Sequence, residues 1–357
     1  MQDDIHNIKN GSVAATVHHI AAVVGVSPMT VSRALSGKGF VAKATRSRVL
    51  TAAEAVGYVP NISAKVLKKA RTNVIGMLVT ELRSPHIAQV VAAVGFAARR
   101  AGQDLFICLA AEDSSEQTPS SLKHLMSGIC DGLLMALPKS PKPTLELIAR
   151  SGIPTVLLNY ELGNSKMAVV RGDNYWVARE AIEHLLNLGH KRIAFIAGSS
   201  FSGQSPERER AYVDALVAAH VAIDPALIVQ GEFHQTVGFA RALELLALSD
   251  RPTAIFAAND EMALGVIDAA RQLGLQIPAD LSLIGFDDIP AASYVFPGLS
   301  TVRQAVDEIA FAGVRALMRQ IDTKTMTTEQ ITLASQLVIR GSTGPCKEKR
   351  DEQSSTQ

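Results

Sequence analysis

The stretch of sequence that most constrains the fold is residues 16–35, TVHHIAAVVGVSPMTVSRAL. Its apolar residues recur at the spacing of two short helices that share a small core. Gly25 stands between the helices, where a sharp turn needs positive φ. Ser27 can cap the second helix, and Pro28 fits its first turn, where a missing N–H costs nothing. The pattern predicts a helix-turn-helix, whose second helix lies in the major groove of DNA.

The charge distribution agrees with that interpretation. Residues 1–72 contain ten Lys and Arg against three Asp and Glu, a formal charge of +7, whereas the remainder has 25 against 31, a charge of −6. A basic head on an acidic body indicates that contacts with DNA phosphates are confined to the head.

Other classes of protein are disfavoured by composition. No uncharged apolar run approaches the roughly 18 residues of a membrane span, and MQDDIHNIKN lacks the apolar core of a signal peptide. Three scattered cysteines, Cys108, Cys130 and Cys346, suit reduced thiols better than a disulfide or metal framework. We therefore expect a cytoplasmic protein without a membrane segment.

From Val74 onward, short apolar runs alternate with helical stretches. Runs that are apolar throughout and are followed by helices are typical of parallel sheets covered on both faces. The alternation restarts after about residue 160, which predicts two similar doubly wound α/β lobes. Ligands bind beyond the carboxyl ends of such strands, so we expect a site between the lobes.

Five motifs in order make the chain resemble the lactose-repressor (LacI/GalR) family of bacterial transcription regulators. They are VSPMTVSRAL, GYVPN, NLGHKRIAFIAG, PTAIFAANDEMALGV and LSLIGFDDIPAA followed by FPGLSTVRQ. The resemblance spans about residues 16–341. It implies a homodimer that binds a near-palindromic operator and responds to a small effector, usually a sugar. It also implies that the chain crosses between the lobes three times, with residues after about 303 returning to the first lobe and a closing strand near 336–340 in the second.

The expected architecture is therefore α/β, with an all-α head joined by a hinge helix to a two-lobed core that resembles periplasmic binding proteins. The expected boundaries are a flexible arm over 1–15, the helix-turn-helix domain over 16–60, the hinge over 61–72, the core over 73–342 and a disordered tail over 343–357.

The resemblance also implies which residues read DNA. Pro28, Met29 and Arg33 would face base edges, and Arg33 can hold guanine O6 and N7 with a fork of two hydrogen bonds. Alternatively, Arg33 contacts only phosphate. We expect the polar residues around them to contact the backbone of the DNA. These are Ser27, Thr30 and Ser32.

In the hinge, the resemblance implies that Leu67 wedges into the central minor-groove step and kinks the duplex. Asn61 can cap the hinge helix, and Ala64 is small enough for two such helices to approach. Lys65 either contacts phosphate or belongs to a solvated linker. The alternative role for Leu67 is a contact to the core.

The resemblance implies a candidate effector site, and several of its residues stand at the ends of predicted strands. Such a site suits a sugar, because sugars need forked hydrogen bonds and an apolar or aromatic face. The candidates are Arg83, His86, Asn159, Arg208, Phe233, Asn259 and Asp287. Asp260 and Asp288 are interpreted instead as helix caps.

Three functional alternatives fit parts of the sequence. Within the regulators, a corepressor-type member would bind a purine or another metabolite. A periplasmic sugar-binding transport protein would share the paired lobes. The basic head and the missing signal peptide both disfavour that class. An enzyme would need a motif such as GxxxxGK[ST], GxSxG or HExxH, and none occurs. We predict no catalytic residues, no cofactor and no metal site.

Replacing Leu67 with alanine tests the predicted wedge. Leu67→Ala should weaken operator binding about tenfold, or ~1.4 kcal/mol, and reduce the bend of the DNA, because the wedge acts only at a deformable step. Binding to random DNA of equal length should keep its salt dependence, since the phosphate contacts survive. An unchanged bend angle in the variant complex would show that Leu67 does not enter the groove.

Overall fold

A computed structural model describes residues 15–37, 39–58, 71–110, 120–136, 142–160, 167–199 and 203–347. The chain forms two compact units, Met1–Arg71 and Thr72–Gln357, called the head and the core below. Residues 1–14 of the predicted arm (1–15), residues 61–70 of the predicted hinge (61–72) and residues 348–357 of the predicted tail (343–357) lie outside the described residues. In the described part, no helix is long and apolar enough to cross a membrane.

Within residues 15–37 and 39–58, the described part of the head, three helices surround one small core. Their bounds are α1 Val17–Val24, α2 Pro28–Ser36 and α3 Lys43–Ala55. Apolar residues from all three helices are buried together, which gives the two short helices the packing that they need for stability. These are Ile20, Ala21, Val24, Val31, Ala34, Val49 and Ala53.

The turn between α1 and α2 has the predicted chemistry. Gly25 has φ of 72°, and the Ser27 hydroxyl accepts a hydrogen bond from the Thr30 N–H at 3.1 Å, which caps α2. From α3, Arg48 donates to the Val24 carbonyl at 2.7 Å and so satisfies the end of α1. The sequence therefore predicted this turn down to its cap.

The first lobe of the core is built on a parallel sheet. Its elements are β1 Val74–Val79, α4 Pro85–Arg100, β2 Asp104–Leu109, α5 Ser120–His124 with a π turn over Leu125–Ile129, β3 Gly132–Ala136, α6 Lys142–Ser151, β4 Thr155–Leu158 and β5 Ala168–Gly172, joined from the end of the chain by α12 Val306–Thr323 and β11 Gln330–Leu333. The strand order is β11-β5-β4-β3-β1-β2. Apolar clusters cover both faces, which explains the continuous apolar runs.

The second lobe has the same plan. Its elements are α7 Tyr175–Asn187, β6 Ile193–Ala197, α8 Ser205–Ala218, a 3₁₀ turn over Pro225–Leu227, β7 Ile228–Gln230, α9 Gln235–Leu246, β8 Ala254–Ala257, α10 Asp260–Gln272, β9 Ser282–Ile284, α11 Pro290–Tyr294, β10 Thr301–Arg303 and β12 Gln336–Val338. The parallel strand order is β7-β6-β8-β9, while β10 and β12 pair antiparallel. The fold class predicted from the sequence is confirmed.

The crossings between lobes follow the implied pattern with one correction. The chain leaves the first lobe after β5, at Gly172, and not after about residue 160, because β5 pairs with β4 and β11 inside the first sheet. It returns between β10 and α12, and it crosses again between β11 and β12.

The predicted disordered tail begins too early. Residues 343–347 pack on the second lobe, where Gly344 N–H donates to Ser282 Oγ at 3.0 Å and Cys346 N–H to the Leu188 carbonyl at 2.8 Å. The polar composition of this segment gives no sign of these backbone hydrogen bonds, so the sequence did not predict them.

Helix α3 begins without a side-chain cap, since Ala42 holds the capping position. Ala42→Ser should stabilise the head by about 1 kcal/mol by accepting a bond from an orphan N–H. Slower amide hydrogen exchange at Ala44 and Thr45 in the full chain would report the gain, because the Arg46 N–H already bonds to the Ala42 carbonyl at 2.9 Å. The same change in the interior of the helix, Ala52→Ser, is the control and should give no protection; equal effects of the two changes would contradict the prediction.

Candidate functional site

A cavity of about 140 Å³ lies between the two lobes of the core, at the carboxyl ends of their strands. Liquid water occupies about 30 Å³ per molecule, so the space holds roughly four or five waters. The first lobe contributes Thr80, Glu81, Ser84, His86, Ile87, Val90, Ala136, Leu158 and Asn159, and the second contributes Gln204, Arg208, Phe233, Asn259 and Asp287. Six of the seven residues predicted from the sequence therefore line one cavity.

Several of these residues have unusual backbone geometry. Asn159 follows β4 with φ of 50°, Phe233 has φ of 65°, and Asp287 follows β9 with φ of 117°. Such values are costly for residues other than glycine and cluster at functional sites, where surrounding structure enforces them. Two of these residues, Asn159 and Asp287, stand at strand ends that the sequence predicted.

Arg208 is the buried cation of the site. It is 1 % exposed, donates from Nε to Asn174 Oδ1 at 3.0 Å and from Nη2 to Gln204 Oε1 at 3.1 Å, and its Nη1 reaches the Ala258 carbonyl. Its guanidinium lies 3.5 Å from the centre of the Phe286 ring. Burial lowers the pKa of Arg208 to about 10, and nearby Asp287 opposes that shift. The side chain stays charged at neutral pH and is held rigidly.

A chain of hydrogen bonds joins the two walls of the cavity. Gln304 donates from Nε2 to Asp287 Oδ1 at 2.7 Å, and its Oε1 accepts from Asn159 Nδ2 at 3.4 Å. Asn159 Oδ1 in turn accepts from the Gly172 N–H at 3.1 Å. Gln304 was not among the residues predicted for the site, because its only signal in the sequence is a position just after a strand.

Asn259 and Phe233 form the opposite wall. Asn259 caps α10 through a bond from the Met262 N–H at 2.9 Å and donates to the Phe233 carbonyl at 3.0 Å. The Phe233 ring lies on Gly198, where a Cβ atom would overlap the ring. A glycine is thus required beneath the aromatic face.

Acidic side chains gather on one side of the cavity. Ser84 of the first lobe donates to Glu261 Oε1 of the second at 3.0 Å. Burial raises the pKa of Glu261, and repulsion from Asp287 and Glu81 adds to the shift. His86 Nδ1 lies 3.8 Å from Asp287 Oδ1. A ligand here meets acceptors on one side and the Arg208 donors on the other.

Arg83 is the predicted cleft residue that the structure keeps out of the cavity. It is exposed and does not line the space. The loop instead turns its neighbour Ser84 inward, to the bond with Glu261. A loop without periodicity gave no signal for this orientation.

The two predicted caps are also wrong. Asn259, not Asp260, caps α10; buried Asp260 accepts from the Ile289 N–H at 2.8 Å and contacts Thr301 Oγ1 at 2.5 Å. Burial raises the pKa of Asp260 well above its ordinary value. Asp288 pairs with Arg303 Nε and Arg340 Nη2, each at 2.6 Å, because β10 and the closing segment bring those arginines beside it.

Helix α2 carries the candidate DNA-reading residues of the head. Met29 is 62 % exposed, and Pro28 and Arg33 are also exposed. The Thr30 hydroxyl is within hydrogen-bond distance of Ser27 Oγ, at 2.9 Å, and Ser32 is half-buried. The other candidates lie outside the described residues. They are Asn61, Ala64, Lys65 and Leu67.

Among the described residues, no group of three or more His, Cys, Asp or Glu side chains is arranged to hold a metal ion.

Comparisons with known proteins match both units. Residues 16–61 match the sequence model of the bacterial regulatory proteins of the lacI family, and residues 182–343 match that of a periplasmic binding protein-like domain. The HTH-type transcriptional repressor PurR of Pasteurella multocida (strain Pm70) is 31 % identical over 329 residues, which cover 92 % of this chain and 98 % of the relative. The chain belongs to the LacI family. PurR of Haemophilus influenzae (strain PittEE) is 32 % identical over 332 residues, with the same coverage.

Two solved structures of transcription regulators have a similar architecture. The lac repressor dimer bound to operator and the anti-inducer ONPF has a TM-score of 0.82 and 25 % identity, covering 93 % of this chain and all of that chain. The transcriptional regulator CelR in complex with cellobiose has a TM-score of 0.70 and 29 % identity, covering 92 % and 99 %. This chain is a LacI-family DNA-binding transcriptional repressor.

The buried bonds of Arg208 predict a large effect on stability. Arg208→Ala leaves three acceptors without their donor and should lower the free energy of unfolding by about 3 kcal/mol. Arg210→Ala on the same helix removes an exposed guanidinium that lies 4.6 Å from the Tyr175 ring, and it should cost under about 1 kcal/mol. Urea denaturation of both variants measures the difference. Equal losses would contradict the network described for Arg208.

Proposed function

We propose that this LacI-family repressor binds its operator as a homodimer and that a small polar molecule between the core lobes switches its operator affinity. The observation that carries the proposal is the convergence of Asn159, Arg208, Phe233, Asn259 and Asp287 on one interlobe cavity. The residues come from both lobes, so a bound ligand would bias their relative position.

DNA reading is proposed for the exposed face of α2 and for the hinge. Arg33 supplies the guanine fork, Met29 and Pro28 supply apolar contact, and Leu67 enters the minor groove. The exposed position of Arg33 on α2 supports this role. When the effector re-angles the lobes, the hinge helices lose their mutual packing and Leu67 leaves the groove.

A homodimer is supported by an apolar surface on the first lobe. The edge strand β2 exposes Phe106, Ile107 and Leu109, and neighbouring α4 exposes Phe96 at 58 %. An uncovered apolar sheet edge invites pairing, so a second copy of the chain is the natural occupant.

The first candidate effector is a sugar. Asp287 and Arg208 can bind adjacent hydroxyls, and the Phe233 ring offers an apolar face. The CelR–cellobiose structure supports this class. The small volume of the cavity favours a molecule of monosaccharide size, because a larger one would need the lobes to part.

The second candidate is a purine, acting as a corepressor. The PurR relatives support it, and so does the pairing of two apolar side chains, Ile87 and Phe233, on the lining of the cavity. A flat base could lie between them while Arg208 and Asp287 bind its edge.

A thermal-shift screen of the full chain against monosaccharides, disaccharides and nucleobases tests the proposal. A true effector at about 100 times its Kd should add ~2.7 kcal/mol to the free energy of unfolding. Asp287→Asn should remove most of that gain, because it removes the charge that faces the cavity. Asp268→Asn, on the exposed side of α10, is the matched control and should keep the gain in full.

Two outcomes would overturn the proposal. One is a screen in which no compound of any class stabilises the chain. The other is a stabilising compound whose effect survives Asp287→Asn unchanged, since it would bind elsewhere.

A further inference from the structure

A pair of opposite charges joins the two lobes beside the cavity. Arg171 lies in β5, the last strand of the first sheet before the chain crosses over, and Glu207 lies in the first turn of α8 in the second lobe. Neither residue lines the cavity. Their separation of 36 positions along the chain hides the contact from sequence patterns.

The two side chains meet as a fork. Arg171 Nη1 donates to Glu207 Oε1 at 3.0 Å, and Nη2 donates to Oε2 of the same carboxylate. The remaining donors reach carbonyls of the first lobe, with Nε 3.3 Å from the Gly172 oxygen and Nη1 3.4 Å from the Tyr160 oxygen. Such paired, charge-assisted bonds are short, directional and stronger than neutral ones.

The two side chains of the pair differ in how deeply they are buried. The Arg171 side chain is 1 % exposed to solvent, whereas the Glu207 side chain is 21 % exposed. A buried guanidinium without a counter-charge costs several kcal/mol in the closed arrangement. Parting the lobes would let water reach Arg171, so the open arrangement tolerates the loss of Glu207 better than the closed one does.

Other bonds between the lobes lack this asymmetry. Gln204 Nε2 donates to the Asn159 carbonyl at 2.6 Å, and Ser84 donates to Glu261 at 3.0 Å. Their donors are neutral, so water can replace either partner at small net cost when the lobes part. Of these three contacts between the lobes, the Arg171–Glu207 fork therefore depends most strongly on closure.

We propose that Arg171 and Glu207 form a latch that holds the core lobes closed before any ligand binds. The latch positions the cavity walls, so an effector that fits the closed cleft meets a preformed site. The latch acts on the closure of the lobes itself. Because it can be tested without effector or operator, its failure would be distinguishable from a failure of the proposed function.

Hydrogen exchange of the full-length protein without ligand tests the latch. The reporter is the peptide over residues 80–87, which lines the far wall of the cavity and contains neither substituted residue. Glu207→Gln should speed its exchange about tenfold, because Arg171 then loses its counter-charge. Glu209→Gln makes the same charge change on the same helix and should leave the exchange as in the unaltered chain.

Removing both charges gives the decisive comparison. Arg171→Leu combined with Glu207→Leu should restore slow exchange to within about twofold, since no charge remains to be hydrated. If Glu207→Gln does not fold, Arg171→Lys replaces it: the charge stays, the fork is lost, and the same peptide should exchange faster. The β6 peptide, residues 193–197, should keep its protection throughout and so reports global unfolding.

Two results would overturn the proposal. The first is a folded single variant whose 80–87 peptide exchanges at the original rate. The second is a double variant that exchanges as fast as Glu207→Gln, because the unpaired charge would then not be the cause of opening.

Discussion

The hydrogen bonds of Gln304 fix the two walls of the cleft to each other. Gln304 stands where the chain returns from β10 to α12, and its amide bonds to Asn159 of the first lobe and Asp287 of the second. It is 4 % exposed, so leaving either amide atom unpaired there would be costly. The bonding pattern places this junction beside the chain crossings, which makes rotation about the crossings the natural motion of the lobes.

The rest of the cleft is built around that junction. Asp287 keeps its strained backbone because Asp287 N–H donates to the Val302 carbonyl at 2.8 Å and buried Asp260 holds the adjoining segment through the Ile289 N–H. Arg208 is fixed on the other side by three acceptors and the Phe286 ring. Preformed donors and acceptors lower the cost of binding a small ligand, since little has to be ordered when it arrives.

The sequence predicted elements and strand ends better than it predicted side-chain partners. Asn159 and Asp287 could be placed because apolar runs mark strands and the next polar residue falls at the site. The helix cap at Ser27 in the head could be predicted because its partner, the Thr30 N–H, lies only three residues further along the chain. Asp288, Arg171 and Glu207 were misread or missed because their partners lie in distant segments, and Arg83 was misplaced because nothing local says which loop residue turns inward. The first crossing was predicted too early because the apolar run of β5 resembles the strands of both lobes, so its sequence does not show which sheet it joins.

We propose that ligand in the cleft and operator on the head bias the same equilibrium between two states. Thermodynamic linkage then requires reciprocity: the factor by which a ligand changes operator affinity must equal the factor by which operator DNA changes ligand affinity. Calorimetric titration of the full chain with a ligand found in the stability screen, with and without saturating operator, measures the second factor directly. We expect operator DNA to change ligand affinity by about fivefold or more, equal to the change in operator affinity. A ligand affinity that is identical with and without operator would contradict it.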